Sequence, residues 1–211
     1  EKIDMTKKLF LLPMLAVLLV GCNGGNNANN GGGGNGGTKT EKTITFDFST
    51  APAGTPTSWS GSATNTFATT VNNYAFSVTN GFFQAPTEYV ADGALSLTAK
   101  KASAVAMITN VAAIPGAIKK ISFLMPTEIS SGSVSALAPF VVEYGTSAIT
   151  AVSTKTADDG KKGGTGVTLE FDCAVENASY FAINVVQGVS TTGKASWYNG
   201  LIKTLTVTYL G

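Results

Sequence analysis

Apolar and polar residues alternate with a period of two along most of the chain after residue 40. The stretch TITFDF (43–48) has an apolar side chain at every second position, and KTLTVTYL (203–210) near the C terminus repeats the pattern. Successive side chains of a β-strand point to opposite faces of the sheet, so each such stretch predicts a strand with one buried face.

About ten stretches follow this pattern, and clusters of Gly, Pro, Asn and Ser separate them. They are TITFDF (43–48), YAFSV (74–78), ALSLTA (94–99), AVAMIT (104–109), ISFLM (121–125), FVVEY (140–144), SAITAV (147–152), VTLEFDC (167–173), SYFAINVV (179–186) and KTLTVTYL (203–210). No window of eleven residues or more has an apolar stripe at helical spacing. Residues 41–211 are therefore predicted to form an all-β, antiparallel, jelly-roll-like sandwich, with the first and last strands near each other.

Local features add three expectations to this fold. Asn199-Gly200 is the strongest short hairpin signal in the chain. Cys173 shares the parity of Phe171, so it is expected to be a buried free thiol that behaves as a small hydrophobe. The neighbours Phe82 and Phe83 cannot both face the core if their segment is extended.

The N-terminal region has a different character. Lys7 and Lys8 precede an apolar run, LFLLPMLAVLLVG, over residues 9–21. A membrane-spanning helix needs roughly 20 apolar residues, whereas the apolar core of a signal peptide needs about 7–15. Residues 5–21 are therefore predicted to be a signal peptide that starts at Met5, and residues 1–4 are interpreted as upstream sequence or a vector scar.

The apolar run ends in Leu19-Val20-Gly21-Cys22, which resembles the lipobox of bacterial lipoproteins. The resemblance implies that the Cys22 thiol receives a diacylglyceryl group and that cleavage before it makes Cys22 the first residue. Two acyl chains suffice for stable anchoring without a polybasic patch. We therefore expect a membrane anchor on a bacterial cell, with the sandwich on the extracytoplasmic or extracellular face. The alternative is an ordinary signal peptide with a chance cysteine.

The segment after the cysteine reads NGGNNANNGGGGNGGTKT and contains no large apolar side chain. Nothing in it offsets the entropy cost of ordering the backbone, so residues 22–40 are predicted to be the acylated cysteine and a flexible tether. A phosphate-binding loop is excluded, because no strand precedes the glycines and no Gly-Lys-Ser/Thr follows them.

The amino-acid composition limits the kinds of binding and catalytic site that the chain can form. The chain has 13% charged residues, a formal net charge of +1, no histidine and no arginine. Nucleic-acid binding normally needs a basic excess, so we expect none. The missing histidine removes Ser-His-Asp triads, Cys-His pairs and histidine metal sites. No catalytic motif remains, so the protein is expected not to be an enzyme and to require no cofactor.

Two kinds of acidic site stay open. Paired carboxylates hydrolyse glycosides, and the candidates are Glu88, Glu128, Glu143, Glu170 and Glu176. Loop carboxylates bind calcium, and the candidates for a structural calcium site are Asp158, Asp159 and Asp92. The alternatives are solvated strand faces for the glutamates and plain turns for the aspartates.

Aromatic residues outside the strand pattern are the candidate ligand-binding residues. They are Trp59, Phe82, Phe83, Tyr89, Trp197 and Tyr198. Sugars stack their C–H faces on aromatic rings, and the alternative is that these rings cap the open ends of the sandwich. Residues 41–211 resemble the jelly-roll modules of bacterial carbohydrate-active proteins, such as galactose-binding-like domains. The resemblance consists of the regular spacing of the strands, a Trp-containing loop near the start and a hydrophobic last strand.

These features favour a lipid-anchored envelope protein with a non-catalytic module that binds carbohydrate or a surface partner such as an envelope protein. A structural or adhesion lipoprotein is the first alternative, and it predicts a flat apolar sheet face or an unprotected edge strand. A glycoside hydrolase is the second, and it needs a cleft with facing carboxylates.

Overall fold

Strands and their connections make up the described part of the chain, and none of it forms a helix that could cross a membrane. The computed structural model describes residues 38–58, 66–87, 91–99, 105–127, 139–150, 161–162, 166–186 and 198–211. All of them belong to one compact unit, Thr38–Gly211.

The described residues form thirteen strands. They are β1 (Glu41–Asp47), β2 (Thr66–Val71), β3 (Tyr74–Thr79), β4 (Gly81–Gln84), β5 (Ala94–Ala99), β6 (Val105–Asn110), β7 (Ala117–Leu124), β8 (Pro139–Gly145), β9 (Lys161–Lys162), β10 (Thr168–Asp172), β11 (Tyr180–Val186), β12 (Tyr198–Ile202) and β13 (Thr204–Leu210).

These strands pair into three antiparallel sheets. The four-stranded sheet has the order β1-β13-β7-β10, the six-stranded sheet the order β2-β3-β6-β11-β8-β9, and the three-stranded sheet the order β12-β5-β4. The predicted all-β antiparallel sandwich is thus confirmed. The first and last strands are direct neighbours, since Glu41 of β1 pairs with Leu210 of β13.

Aromatic side chains fill the space between the four-stranded and six-stranded sheets. Phe46 of β1 meets Phe76 of β3 edge to face, with ring centroids 4.9 Å apart. Phe123 of β7 meets Phe140 of β8 in the same way at 4.7 Å. All four rings are buried. Such pairs contribute about 0.5–1.5 kcal/mol beyond the burial of their area, so they hold the two sheets face to face.

The three-stranded sheet continues from the four-stranded sheet through a single bend at Lys203. The Phe48 N–H donates to the carbonyl of Lys203 at 2.8 Å, and the Lys203 N–H donates to the carbonyl of Leu124 at 2.9 Å. Lys203 is thus the single residue between β12 of one sheet and β13 of the other.

Nine of the ten predicted strands are present in the structure. SAITAV is the exception, because its described residues, 147–150, form no strand. The alternation did not predict β2, β4, β9 or β12. The turn between β2 and β3 carries Asn72 and Asn73 at φ values of 50° and 64°, the left-handed conformation that a two-residue hairpin requires and that asparagine tolerates.

The predicted hairpin at Asn199-Gly200 is wrong. Both residues lie inside β12 and pair with β5. A Cβ atom on Gly200 would lie 2.5 Å from Val185 Cγ2 and 2.7 Å from Phe140 Cε1. The glycine is needed there because β12 passes close to two core side chains of the six-stranded sheet, not because the chain turns.

The expectation for Cys173 is partly confirmed. It is a free cysteine that packs against the core. It is half-buried, not fully buried as expected, because it follows the last residue of β10. Its thiol donates to the carbonyl of Val175 at 3.4 Å.

The central strands of the six-stranded sheet are buried on the outer face as well as on the inner face. Asn184 of β11 lies there between Met107 of β6 and Val141 of β8, and all three are buried. Within the described chain, neither polar atom of the Asn184 side chain has a hydrogen-bond partner. An unpaired buried amide costs about 1–3 kcal/mol, so packing on both faces outweighs a local polar penalty.

Replacement of Gly200 by alanine is expected to lower the free energy of unfolding by about 1–3 kcal/mol, because the added methyl group overpacks the core against Val185 and Phe140. Denaturant unfolding of the purified protein measures the change. Combining it with Phe140→Leu, which makes room, should recover part of the loss relative to Phe140→Leu alone. Equal losses on both backgrounds would contradict the proposed clash.

Candidate functional site

The candidate site is a cavity of about 430 Å³ beside the C-terminal half of β8. It is lined by Val142, Glu143, Tyr144, Ile149, Asp172, Ala174 and Val175. These residues come from β8, from the segment after it, from the end of β10 and from the β10–β11 connection. Its volume lies in the range of small-molecule sites, about 300–1,000 Å³, but the cavity is broadly open to solvent.

A hydrogen bond across the sandwich holds this region together. The Tyr144 hydroxyl of β8, in the six-stranded sheet, donates to the carbonyl of Phe171 of β10 at 2.6 Å. β10 is an edge strand of the four-stranded sheet. The bond therefore joins the two sheets at one side of the sandwich, next to the cavity.

Aliphatic side chains supply the apolar part of the lining. Val142 belongs to the buried core and closes the inner wall. Val175 is 41% exposed, one of the most exposed large hydrophobic residues in the described chain. With Ile149, these residues form the apolar part of the lining.

Two carboxylates supply the polar part. Glu143 lies between Val142 and Tyr144, which contact the core, so its side chain points to the opposite face of the sheet. Asp172 is the exposed last residue of β10 and follows Phe171, which packs against the core, so its side chain also points away from the core, but from the four-stranded sheet. Among the described residues, neither carboxylate has a hydrogen bond or an ion pair.

Burial keeps two other titratable groups near the cavity, Tyr144 and Cys173, in their neutral forms. Burial raises the pKa of Tyr144 far above its usual value, and the nearby Cys173 and Asp172 raise it further. Burial also raises the pKa of the Cys173 thiol. The phenol therefore keeps its proton and its bond to Phe171, and the thiol is not an activated nucleophile.

Of the predicted carboxylate candidates, one lines the cavity. Glu143 does so, Glu170 forms an ion pair with Lys120 at 3.1 Å, and Glu176 is exposed in a connection. Glu88 and Glu128 lie outside the described residues. Sequence reasoning did not select Asp172. Its only signal was its place at the end of VTLEFDC, where a strand gives way to a connection.

The predicted aromatic site is described only in part. Phe83 is buried in the core and Phe82 is half-buried on the other face of β4, so the two neighbours do point to opposite sides. Trp59, Tyr89 and Trp197 lie outside the described residues, as does Cys22, and the side chain of Tyr198 in β12 is also outside the description. The described structure brings none of these rings to the cavity.

Of the three predicted calcium-binding residues, one lies among the described residues. Asp92 forms an ion pair with Lys203 at 3.0 Å, which ties the β4–β5 connection to the bend between β12 and β13. Asp158 and Asp159 lie outside the described residues. Within the described ranges, no three acidic or cysteine side chains come together in a way that would hold a metal ion.

No family model matches the chain, and no curated protein or solved structure is significantly similar to it. The chemistry of the cavity is therefore the basis on which a function can be assigned.

Substitution of Tyr144 by phenylalanine is expected to lower the free energy of unfolding by about 0.5–1.5 kcal/mol at pH 7, because the bond to Phe171 is lost. A tyrosine whose pKa is raised by folding stabilises the native state fully below pH about 10, and this contribution falls as the pH rises further. The wild type should therefore lose stability above pH 10 more steeply than the variant in denaturant unfolding.

Tyr180→Phe is the matched control, because Tyr180 is half-buried in β11 and its hydroxyl makes no hydrogen bond among the described residues. Equal effects of the two substitutions at pH 7, or equal alkaline slopes for wild type and Tyr144→Phe, would contradict the role given to this bond.

Proposed function

We propose that this protein is a lipid-anchored bacterial envelope protein whose β-sandwich is a non-catalytic carbohydrate-binding module. The observation that carries the proposal is the cavity beside β8, with its aliphatic walls and two unpaired carboxylates. Such a lining combines a predominantly apolar surface with a few placed polar groups, which is the usual composition of a ligand site.

The lining suits the two faces of a sugar. The aliphatic side chains of Val142, Ile149 and Val175 offer contact to ring C–H groups. Glu143 and Asp172 offer charged acceptors, and hydrogen bonds to ionised groups are stronger than those between neutral groups. Sugar hydroxyls supply the matching donors.

The anchor part of the proposal rests on the lipobox-like stretch that ends at Cys22. Diacylated Cys22 would hold the protein on the membrane, and residues 23–40 would act as its tether. The sandwich begins where this tether ends: Thr40 and Gly211 exchange backbone hydrogen bonds of 3.1 Å in both directions. The chain entry is thereby fixed to the C-terminal end of β13.

Glycoside hydrolysis is the second candidate, because Glu143 and Asp172 both line the cavity, although hydrolysis needs two carboxylates that face each other. It predicts release of reducing ends from a bound glycan. Binding without any such release supports the non-catalytic module.

Replacement of Cys22 by serine is expected to abolish incorporation of radiolabelled palmitate in bacteria, because serine has no thiol for the diacylglyceryl group. The wild type should take up the label and remain with the membrane fraction. Cys173→Ser is the control and should be labelled like the wild type. A wild type that takes up no label would contradict the anchor.

The double variant Glu143→Gln/Asp172→Asn is expected to weaken glycan binding at least about tenfold, because each lost charged hydrogen bond is worth about 1.5–3 kcal/mol. A glycan array probed with the purified protein identifies the ligand, and calorimetry gives its affinity. Glu176→Gln, which removes an exposed carboxylate outside the cavity lining, should bind like the wild type.

Two further variants test whether the ligand binds elsewhere. Trp59→Ala and Trp197→Ala are expected to leave the affinity unchanged. Loss of binding in either one, combined with wild-type affinity in the double carboxylate variant, would contradict the cavity as the binding site.

A further inference from the structure

The edge strand β2 has a row of backbone hydrogen-bonding groups without a partner in the described chain. β2 is the outer strand of the six-stranded sheet, beside β3. Ala75 of β3 lies opposite Thr70, and its carbonyl accepts from the N–H of Val111, which follows β6, at 2.9 Å. Thr70 therefore turns its own N–H and C=O groups away from β3, and by alternation Ala68 and Thr66 do the same. Among the described residues, nothing pairs with these groups.

The exposed side chains of β2 are small and uncharged. Thr66, Ala68 and Thr70 are exposed on the outer face of the sheet, so this face of the strand is open to solvent. The whole strand, TFATTV, contains no charged residue and no proline. Charged residues and proline are the usual means by which proteins prevent an edge strand from pairing with another chain. β2 lacks that protection.

Four other edge strands are protected. β9 consists of two lysines, and β10 is charged at two of its five positions. In β4, the N–H of Phe83 donates to the carbonyl of Pro56 at 2.8 Å. In β1, the carbonyl of Thr45 accepts from the side chain of Asn72 at 3.4 Å. The contrast with these strands makes β2 the edge that is open to pairing.

The inward-facing side of β2 is apolar and incompletely covered. Phe67 and Val71 pack against the core, but both are half-buried. Thr69 lies between them, and its buried hydroxyl has no hydrogen-bond partner among the described residues. A strand added beside β2 would continue the inner face of the sheet and remove more of this apolar surface from water.

We propose that a second copy of this chain pairs with β2, antiparallel and about a two-fold axis at Thr69, so that two six-stranded sheets join into one. In this register Phe67 of each copy lies opposite Val71 of the other, and the two Thr69 residues face each other. Ala68 and Thr70 form hydrogen-bonded pairs through their outward backbone groups. Pairs of an aromatic with a β-branched residue, and of threonine with threonine, stabilise antiparallel strands.

The side chains of β2 favour its own copy over a different protein. A strand without charge offers no electrostatic pattern by which to select another partner, whereas a two-fold axis lets one surface serve both subunits. The pairing is independent of the proposed carbohydrate binding, since three strands separate β2 from β8 and its cavity. An unprotected edge strand is also the feature that a structural or adhesion lipoprotein predicts.

Sedimentation velocity of the purified full chain in mild detergent, over a series of concentrations, tests the pairing. A six-residue strand gives a small contact, and small interfaces are typically weak, so we expect a reversible monomer–dimer equilibrium. Ala68→Lys places two like charges beside the axis and should weaken the dimer at least about tenfold. Ala68→Ser is the matched control and should associate like the wild type. Equal unfolding midpoints show that both variants are folded.

Disulfide cross-linking in bacterial membranes tests the register. Ala68→Cys and Thr70→Cys, each combined with Cys173→Ser, are co-expressed as full chains with different tags and oxidised with copper phenanthroline. The Cα atoms of such a hydrogen-bonded pair are about 5.5 Å apart, within the range of a disulfide, so a mixed dimer should form. The Cys173→Ser chain is the blank. The chain that also carries Thr45→Cys, at an exposed position of β1, is the control for random collision and should not cross-link.

Each other outcome contradicts a part of the inference. A monomer at every concentration, with no mixed cross-link, overturns the pairing. Equal association of the wild type and the folded Ala68→Lys variant also overturns it, because another surface would then be responsible. A product of Ala68→Cys with itself that exceeds the mixed product overturns the axis at Thr69. A cross-linked product that contains a different protein overturns the choice of partner.

Discussion

The packing of aromatic rings between the four-stranded and six-stranded sheets is the interaction on which the rest of the structure depends. Phe46 against Phe76 and Phe123 against Phe140 join the sheets at two separate points of the interface. Burial of each such side chain contributes about 1.5–3 kcal/mol. The chain has few charged residues, and the described sheets are joined by aromatic and aliphatic burial with little help from ion pairs.

Two specific polar contacts stabilise the edges of the sandwich. Tyr144 ties β8 to β10 through the carbonyl of Phe171, and the ion pair between Lys203 and Asp92 braces the bend that links two sheets. Each contact is partly shielded from water and joins elements far apart in sequence. The cavity lies beside the first of them, so its walls are positioned by the same packing that closes the sandwich.

The proposed function depends on the side chains near the cavity that these contacts do not occupy. The hydroxyl of Tyr144 is engaged and the thiol of Cys173 is held neutral, and the charged residues among those that line the cavity are Glu143 and Asp172. Under the proposed function, such a lining would recognise a ligand by charge and by apolar contact. Its rigidity comes from the strands, since one carboxylate lies within β8 and the other at the end of β10.

The fold class was predictable from alternation alone, because a strand with one buried face has an apolar residue at every second position. ALSLTA coincides with β5, and the terminal strands β1 and β13 were expected to be neighbours. Short or interrupted strands escaped detection: β4 has only four residues, and β12 contains the Asn199-Gly200 pair that is typical of a turn.

The chemistry excluded by the missing histidine, and the lipobox-like end at Cys22, were likewise readable from the sequence. The cavity could not be predicted from the sequence. Its lining residues Glu143 and Asp172 belong to different sheets, and no local sequence pattern indicates that β8 and β10 lie near each other. The tertiary structure also decided the role of Gly200, because its neighbours Val185 and Phe140 come from strands that are distant in sequence. It likewise decided the burial of Asn184, which lies on a face that alternation would assign to solvent. Alternation reports only which face of a strand is apolar, whereas contacts between sheets depend on which faces and edges meet.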